Sequence, residues 1–268
     1  MKTKTVEFAS PSELAEMNSA PWGNEKQSRY QDLVLKAEFA QRRFKFPVGT
    51  TWFRIVPALR GSRGSMMKLH ALNYKGGRHV HPKTLTPGTK STFDAAYEWC
   101  KTNRPESLFC KSKPDGYRLL TDPLFLFWIV FEEDSKIVAR LVLESGYDGS
   151  RGGTPGLGHQ VMSLTQERDE NGNLVTDPID QDLGRQIGVE RTQPAGTRFP
   201  SYALRMGRTP VPMPKYIDRM DPSEIEALVP IEDVVHSVSV DEEWGLLENV
   251  IEPEIVKMIR EAQSAESQ

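Results

Sequence analysis

At 268 residues and a formal net charge of -3, the chain can bury a full core without covalent staples, and two cysteines are too few for a secreted disulfide scaffold. The N-terminus, MKTKTVEFASPSEL, has no signal-like apolar stretch, and the run 123–131 is about half a membrane span. Both exclude a membrane partner and lead us to expect an intracellular protein.

Residues 1–27 read as an N-terminal arm. The spacing of Leu33, Ala37, Ala40 and Phe44, widened by Tyr30, Val34, Leu35 and Phe39, predicts a helix from about Ser28 to Phe44. Thr51 to Val56 reads as a strand, with Trp52, Arg54 and Val56 on one face and Phe53 and Ile55 on the other. A loop bearing Arg60 and Arg63 leads to a second strand, Met66 to Tyr74, with Lys68, His70, Leu72 and Tyr74 on a shared face. Lys75-Gly76-Gly77 is a tight turn into Arg78 to His81. Thr92 to Thr102 predicts a short helix capped by Ser91 or Thr92.

Leu124 to Phe131 and Ile137 to Leu143, joined at Glu132 to Ser135, predict a long hairpin. Ser145 to Gly158 is a glycine-rich loop whose spacing does not match a dinucleotide fold. Ile187 to Arg191 and Ser201 to Met206 complete the sheet, and Gly207 to Pro214 leaves it. Helices are expected near Pro222 to Leu228 and Pro253 to Ala262. Short strands, an inserted helix and no repeated strand-helix unit favour a small β-barrel over a doubly wound sheet.

Charge is distributed unevenly along this order. The 55 residues between Glu38 and Asp94 contain no Asp or Glu and eleven Lys and Arg, where an even spread would place roughly seven to eight acids. From Met220 to Gln268 thirteen acids face Lys257 and Arg260. An acid-free run of cations suits counterion release from phosphates, and interleaved aromatics suit stacking on unpaired bases. The expected contacts are Arg42, Arg43, Trp52, Arg54, Arg60, Arg63, Lys68, His70, Tyr74, Lys75, Arg78 and Lys83, and the expected ligand is single-stranded DNA. With no helix-turn-helix pair and no finger spacing, duplex readout is not indicated.

No nucleophile with a base and an orienting partner is legible, so the chain is read as a non-enzyme. Glu132, Glu133 and Asp134 lie in a turn. Asp177, Asp180 and Asp182 could in principle hold Mg²⁺, but solvated loop charge is the commoner role of such residues. The alternative from a different class is a structural or assembly protein that docks its basic face on a protein partner. Removal of residues 220–268 is expected to tighten DNA binding by deleting an internal polyanion, if the truncated core stays folded.

The segment Thr51-Trp52-Phe53-Arg54-Ile55-Val56-Pro57 resembles a strand of the single-stranded-DNA-binding proteins of tailed phages, the helix-destabilising T-even-like type. The hairpin that follows, the interrupted small subdomain, the Phe125 to Phe131 strand and the acidic end fall in the same order over residues 35–215. The resemblance implies a mainly β fold with helical additions: an OB-fold-like five-stranded barrel over 28–215, with a subdomain inserted around 75–120 and an acidic helical segment at 216–268. It further implies self-association along DNA and action in phage replication, recombination and repair in the cytoplasm of an infected bacterial host. The acidic segment would meet replication or recombination partners. That family holds a structural zinc through one His and three Cys. Here Lys90 to Phe93 occupy the place of its cysteine pair; a four-ligand zinc site of Cys100, Cys110, His79 and His81 is conceivable, but ordinary buried cysteines and no cofactor are the expectation.

Overall fold

The computed structural model describes residues 31–74, 76–110, 118–119, 123–150, 152–166, 178–193 and 200–266. The N-terminal arm, Lys75 and Asp177 lie outside them. Two sheets organise the chain. The larger joins β2 (Gly49–Ile55), β3 (Met66–Leu69), β7 (Leu124–Glu133), β8 (Lys136–Ser145), β9 (Arg185–Thr192) and β10 (Ser201–Pro210). The smaller orders β1 (Gln31–Leu33), β5 (Gly77–Val80), β4 (Ala71–Tyr74) and β6 (Arg118–Leu119).

The β7–β8 hairpin is the centre of the larger sheet. Its two-residue turn places Asp134 and Ser135 at φ 48° and 64°, the twist-matched geometry of a tight hairpin, and registers Glu133 against Lys136. Both faces of β7 are covered, so its sequence is a continuous apolar run rather than an alternating one. Leu126, Trp128 and Val130 enter one core cluster, while Phe127, Ile129 and Phe131 enter another with Phe53, Ile55, Ile187 and Val189. The sheet curls into a half-barrel, and the chain is mainly β with helical additions, as expected. Among the described residues no pairing joins β10 to β8 and closes it.

Three local expectations change. The first three residues of the helix foreseen from Ser28 to Phe44 lie outside the described residues, and the remainder is reduced to α1, Ala37–Ala40. The chain before it adds β1 in parallel to β5, and Lys36 N–H and Val34 C=O bond to Val234 and His236. Those tertiary hydrogen bonds override the helical spacing. The strand foreseen from Met66 to Tyr74 breaks at His70, because the chain crosses there from the large sheet, β3 on β7, to the small one, β4 on β5. The third change follows the glycine-rich loop, where α3 (Leu157–Gln166) lays Leu157 and Val161 into the half-barrel.

α2 (Thr92–Asn103) forms as expected, with a capping box between Ser91 and Asp94. The acidic segment is part of the core. After α4 (Pro214–Ile217) and α5 (Pro222–Glu226), a 3-10 turn at Ile231–Val234 closes over the outer face of β7 and β8. Met213, Tyr216, Met220, Ile231 and Val234 are buried there. Trp128 Nε1–H donates to Val229 O at 3.0 Å. α6 (Val240–Glu248) and α7 (Pro253–Glu266) complete the small subdomain, where Trp244, Leu247, Val256 and Ile259 pack on Leu72, Tyr74, Phe93 and Cys100.

One buried carboxylate ties α6 to that subdomain. Glu243, 2% exposed, accepts from Ser91 Oγ at 2.7 Å, Thr92 N at 2.8 Å and Thr92 Oγ1 at 2.9 Å, and lies 2.9 Å from His79 Nε2. Burial alone would raise its pKa, but the hydrogen bonds from His79, Thr92 and Ser91 outweigh it and hold the carboxyl below its ordinary 4.5. A depressed carboxylate contributes stability that is complete above the unfolded value and is lost as pH falls through the folded one. Glu243→Gln should therefore cost about 3 kcal/mol at neutral pH and flatten the acid-unfolding limb below about pH 4.5. Urea titrations across pH check both; an unchanged acid limb would assign acid unfolding to other groups.

Candidate nucleic-acid interface

The twelve residues expected from sequence do not form one surface. Arg54 is fully buried. Its Nε donates to Val211 O at 2.9 Å, and its guanidinium nitrogens donate to Pro178 O, Arg185 O and Asp180 O. It ties the segments before and after the β9–β10 pair to β2 and cannot meet a ligand, which corrects its expected role. Tyr74 is also corrected: it is 8% exposed, with ring centroids 5.0 Å from Phe93 and 5.5 Å from His79.

Arg42, Arg43 and Arg78 reach the surface in ion pairs. Arg42 meets Glu224 at 2.9 Å, and Asp32 holds Arg43 at 3.1 Å and Arg78 at 2.6 Å. Glu224 and Asp32 stay ionised because those partners outweigh their burial. Acids from outside the acid-free window thus neutralise part of it. Glu232 also accepts from Ser62 Oγ and Arg63 N–H, at 2.9 and 2.8 Å, and shapes the loop that exposes Arg60 and Arg63.

The remaining contacts divide between opposite sides of the sheet. Arg54 pairs with Val130 on β7, and Lys68 with Phe125. Since Val130 and Phe125 enter different clusters, the faces that carry Trp52 and Lys68 point apart. At the β3–β4 break the turn that carries Lys83 is hydrogen-bonded to the backbone of His70, two residues after Lys68.

Trp52 is the aromatic of the set that stays open, at 41% exposure. Its register partner is Gly188 on β9. A methyl at Gly188 would stand 2.9 Å from three indole carbons, so glycine lets the ring lie on the β9 backbone. Gly188 is in turn paired with Arg205 on β10, which puts Trp52 and Arg205 on one face across three strands. Arg205 is largely exposed and meets Glu190 at 2.7 Å.

Beside Trp52 lies a groove of about 660 Å³ between Phe44, Phe131, the β7–β8 turn and the covering segment at Val211, Lys215, Tyr216 and Arg219. Tyr216 Oη accepts from Gln186 Nε2 at 2.6 Å, and burial pushes its phenol up, keeping it neutral. Arg219 pairs with Glu132 at 2.9 Å, whereas Lys215 is exposed. Gly188, Arg205 and Lys215 were not foreseen: the first is a silent partner in the register, and the others lie far from the basic window in sequence.

No family model and no curated protein matches the chain.

The groups considered for metal chemistry are engaged elsewhere. His79 faces Glu243. His81 accepts Lys83 N–H at Nδ1, which leaves Nε2–H to donate to Asp94 at 2.6 Å. Cys100 is buried beside Cys110, and burial pushes its thiol up to about 12. The Asp180 carboxylate accepts Asp182 and Leu183 N–H within its own turn, at 2.8 and 2.5 Å. Among the described residues no three His, Cys, Asp or Glu come together to hold a metal. No helix among them is long and apolar enough to cross a membrane.

Proposed function

We propose that this chain binds single-stranded DNA without reading its sequence, and protects and organises it during phage DNA replication, recombination and repair. On this proposal the curled sheet is a variant of the OB-fold, and the acids exposed on α6 and α7 meet replication partners. One observation supports it above the others: Trp52 lies open on a sheet face, backed by Gly188 and flanked by Arg205 and the Lys215 wall of the groove. A fixed aromatic plane accepts any base, and cations at its margin accept the phosphates on either side. Neither demands a base-specific hydrogen bond.

The test is a fluorescence titration with oligothymidylate across a salt series. Affinity should fall steeply with added salt. Trp52→Ala should weaken binding by about 1–3 kcal/mol with little change in the salt slope, whereas Arg205→Gln should reduce the slope by about one. A folded protein that does not bind at low salt overturns the proposal and leaves the assembly role, in which the same face docks on a protein.

A further inference from the structure

A second site lies where the chain passes from one sheet to the other. The turn at Pro82–Thr84 is fixed to the backbone of His70 by three hydrogen bonds. His81 N donates to His70 O at 2.8 Å, Thr84 Oγ1 donates to the same oxygen at 3.3 Å, and His70 N donates to Thr84 Oγ1 at 3.0 Å. This holds the turn that carries Lys83 against the half-buried His70, two residues along the chain from Lys68, which is exposed on β3. The remaining titratable neighbour is His81, whose Nδ1 accepts Lys83 N–H at 3.0 Å. His81 also engages Asp94, the acid of the adjoining α2, whose carboxylate further accepts Ser91 N–H at 3.2 Å within the capping box.

We propose that Lys68, His70 and Lys83 form a phosphate-binding site whose occupancy is coupled to protonation of His70. Two ammonium groups and a protonated imidazole converging from separate elements suit an oxyanion of charge -1 to -2. Without an anion, burial and then Lys83, Lys68 and His81 hold the imidazole below its ordinary value. A bound phosphate reverses the sign of that field and favours the imidazolium. The complex then takes up a proton, and binding tightens as pH falls, by up to about tenfold for each unit that the anion raises the His70 pKa.

The phosphate can be a nucleic-acid backbone group or a free ion. The oligonucleotide arm of the test rests on the single-strand proposal; the inorganic-phosphate arm does not. The full chain is titrated by NMR, following the His70 ring protons from pH 5 to 8, alone, with oligothymidylate and with inorganic phosphate at matched ionic strength. An upward shift with the oligomer only assigns the site to backbone phosphate; a shift with both assigns it to phosphate as such. No shift with either overturns the proposal. In a parallel oligomer titration, His70→Gln should abolish the tightening at low pH. Full retention of the pH dependence in His70→Gln would overturn the coupling. The Trp52→Ala variant, titrated in parallel, reports the other face, so loss of one site is distinguishable from loss of the other.

Discussion

Deletion of residues 220–268 is expected to unfold the protein rather than to release a tighter DNA-binding core. The segment supplies Met220, Ile231, Val234 and Val235 to the cluster on the outer face of β7 and β8, and Trp244, Leu247, Ile251, Val256 and Ile259 to the subdomain core. At about 1.5–3 kcal/mol for each buried side chain, their loss exceeds the roughly 5–15 kcal/mol net stability of a domain. It would also bare Trp128 and the β8 edge, where Glu224 accepts Ala139 N–H at 2.8 Å. The check is circular dichroism and solubility of the truncated chain against the full one. A folded, monomeric truncation would restore the notion of a detachable acidic tail. A smaller change then isolates the electrostatics: Glu224→Gln removes the acid that Arg42 and Arg140 share, at 2.9 and 3.4 Å, and keeps the helix that carries it.

That expectation bears on the condition attached to the one drawn from sequence, that the truncated core stay folded, and the reason is physical. Thirteen acids in the last 49 residues read as a polyanion when counted along the chain, yet the apolar residues between them decide where the segment goes. Trp244, Leu247 and Ile251 recur at helical spacing, and a stripe of that kind is buried wherever a complementary face exists. The basic window has the same history in mirror image. Its lack of acids is a statement about sequence neighbours, and Asp32, Glu224 and Glu232 reach it through space.

The phase of each strand was legible. Phe53 and Ile55 do face the core opposite Trp52 and Arg54, and the β7–β8 hairpin lies where its β-branched and aromatic content places it. Two things a single strand cannot show were not legible. One is which face of β3 aligns with which face of β2, because both are set by separate pairings along β7; this parts Lys68 from Trp52. The other is how far a covering segment extends across a face. Val211 and the approach to β9 at Pro178 and Asp180 close over Arg54, whereas Trp52 stays open, so two neighbours with the same orientation, two residues apart, have opposite fates. Gly188 could be found from sequence only by a reader who already knew the register.

Arg54 is where this difference can be measured. Its guanidinium is fully buried and donates to carbonyls from Pro178, Asp180, Arg185 and Val211, which come from the approach to β9, from β9 itself and from the exit of β10. No other side chain has five donors in a planar fork able to serve separate acceptors at once. Nearby, a side chain at Gly184 would collide with the guanidinium, so the loop is built around it. Arg54→Ala removes the donors, leaves several buried acceptors unsatisfied and opens a cavity, and should cost about 3–5 kcal/mol. Arg54→Lys keeps the charge but not the fork and should fall between wild type and Ala. In urea unfolding the midpoint should drop with little change in slope. In the oligothymidylate titration the folded fraction of either variant should retain its salt dependence, since a buried guanidinium releases no counterions. Wild-type stability combined with a shallower salt slope would return Arg54 to the surface and to the phosphates. Loss of stability with an unchanged slope leaves Trp52, and not Arg54, as the open member of that pair.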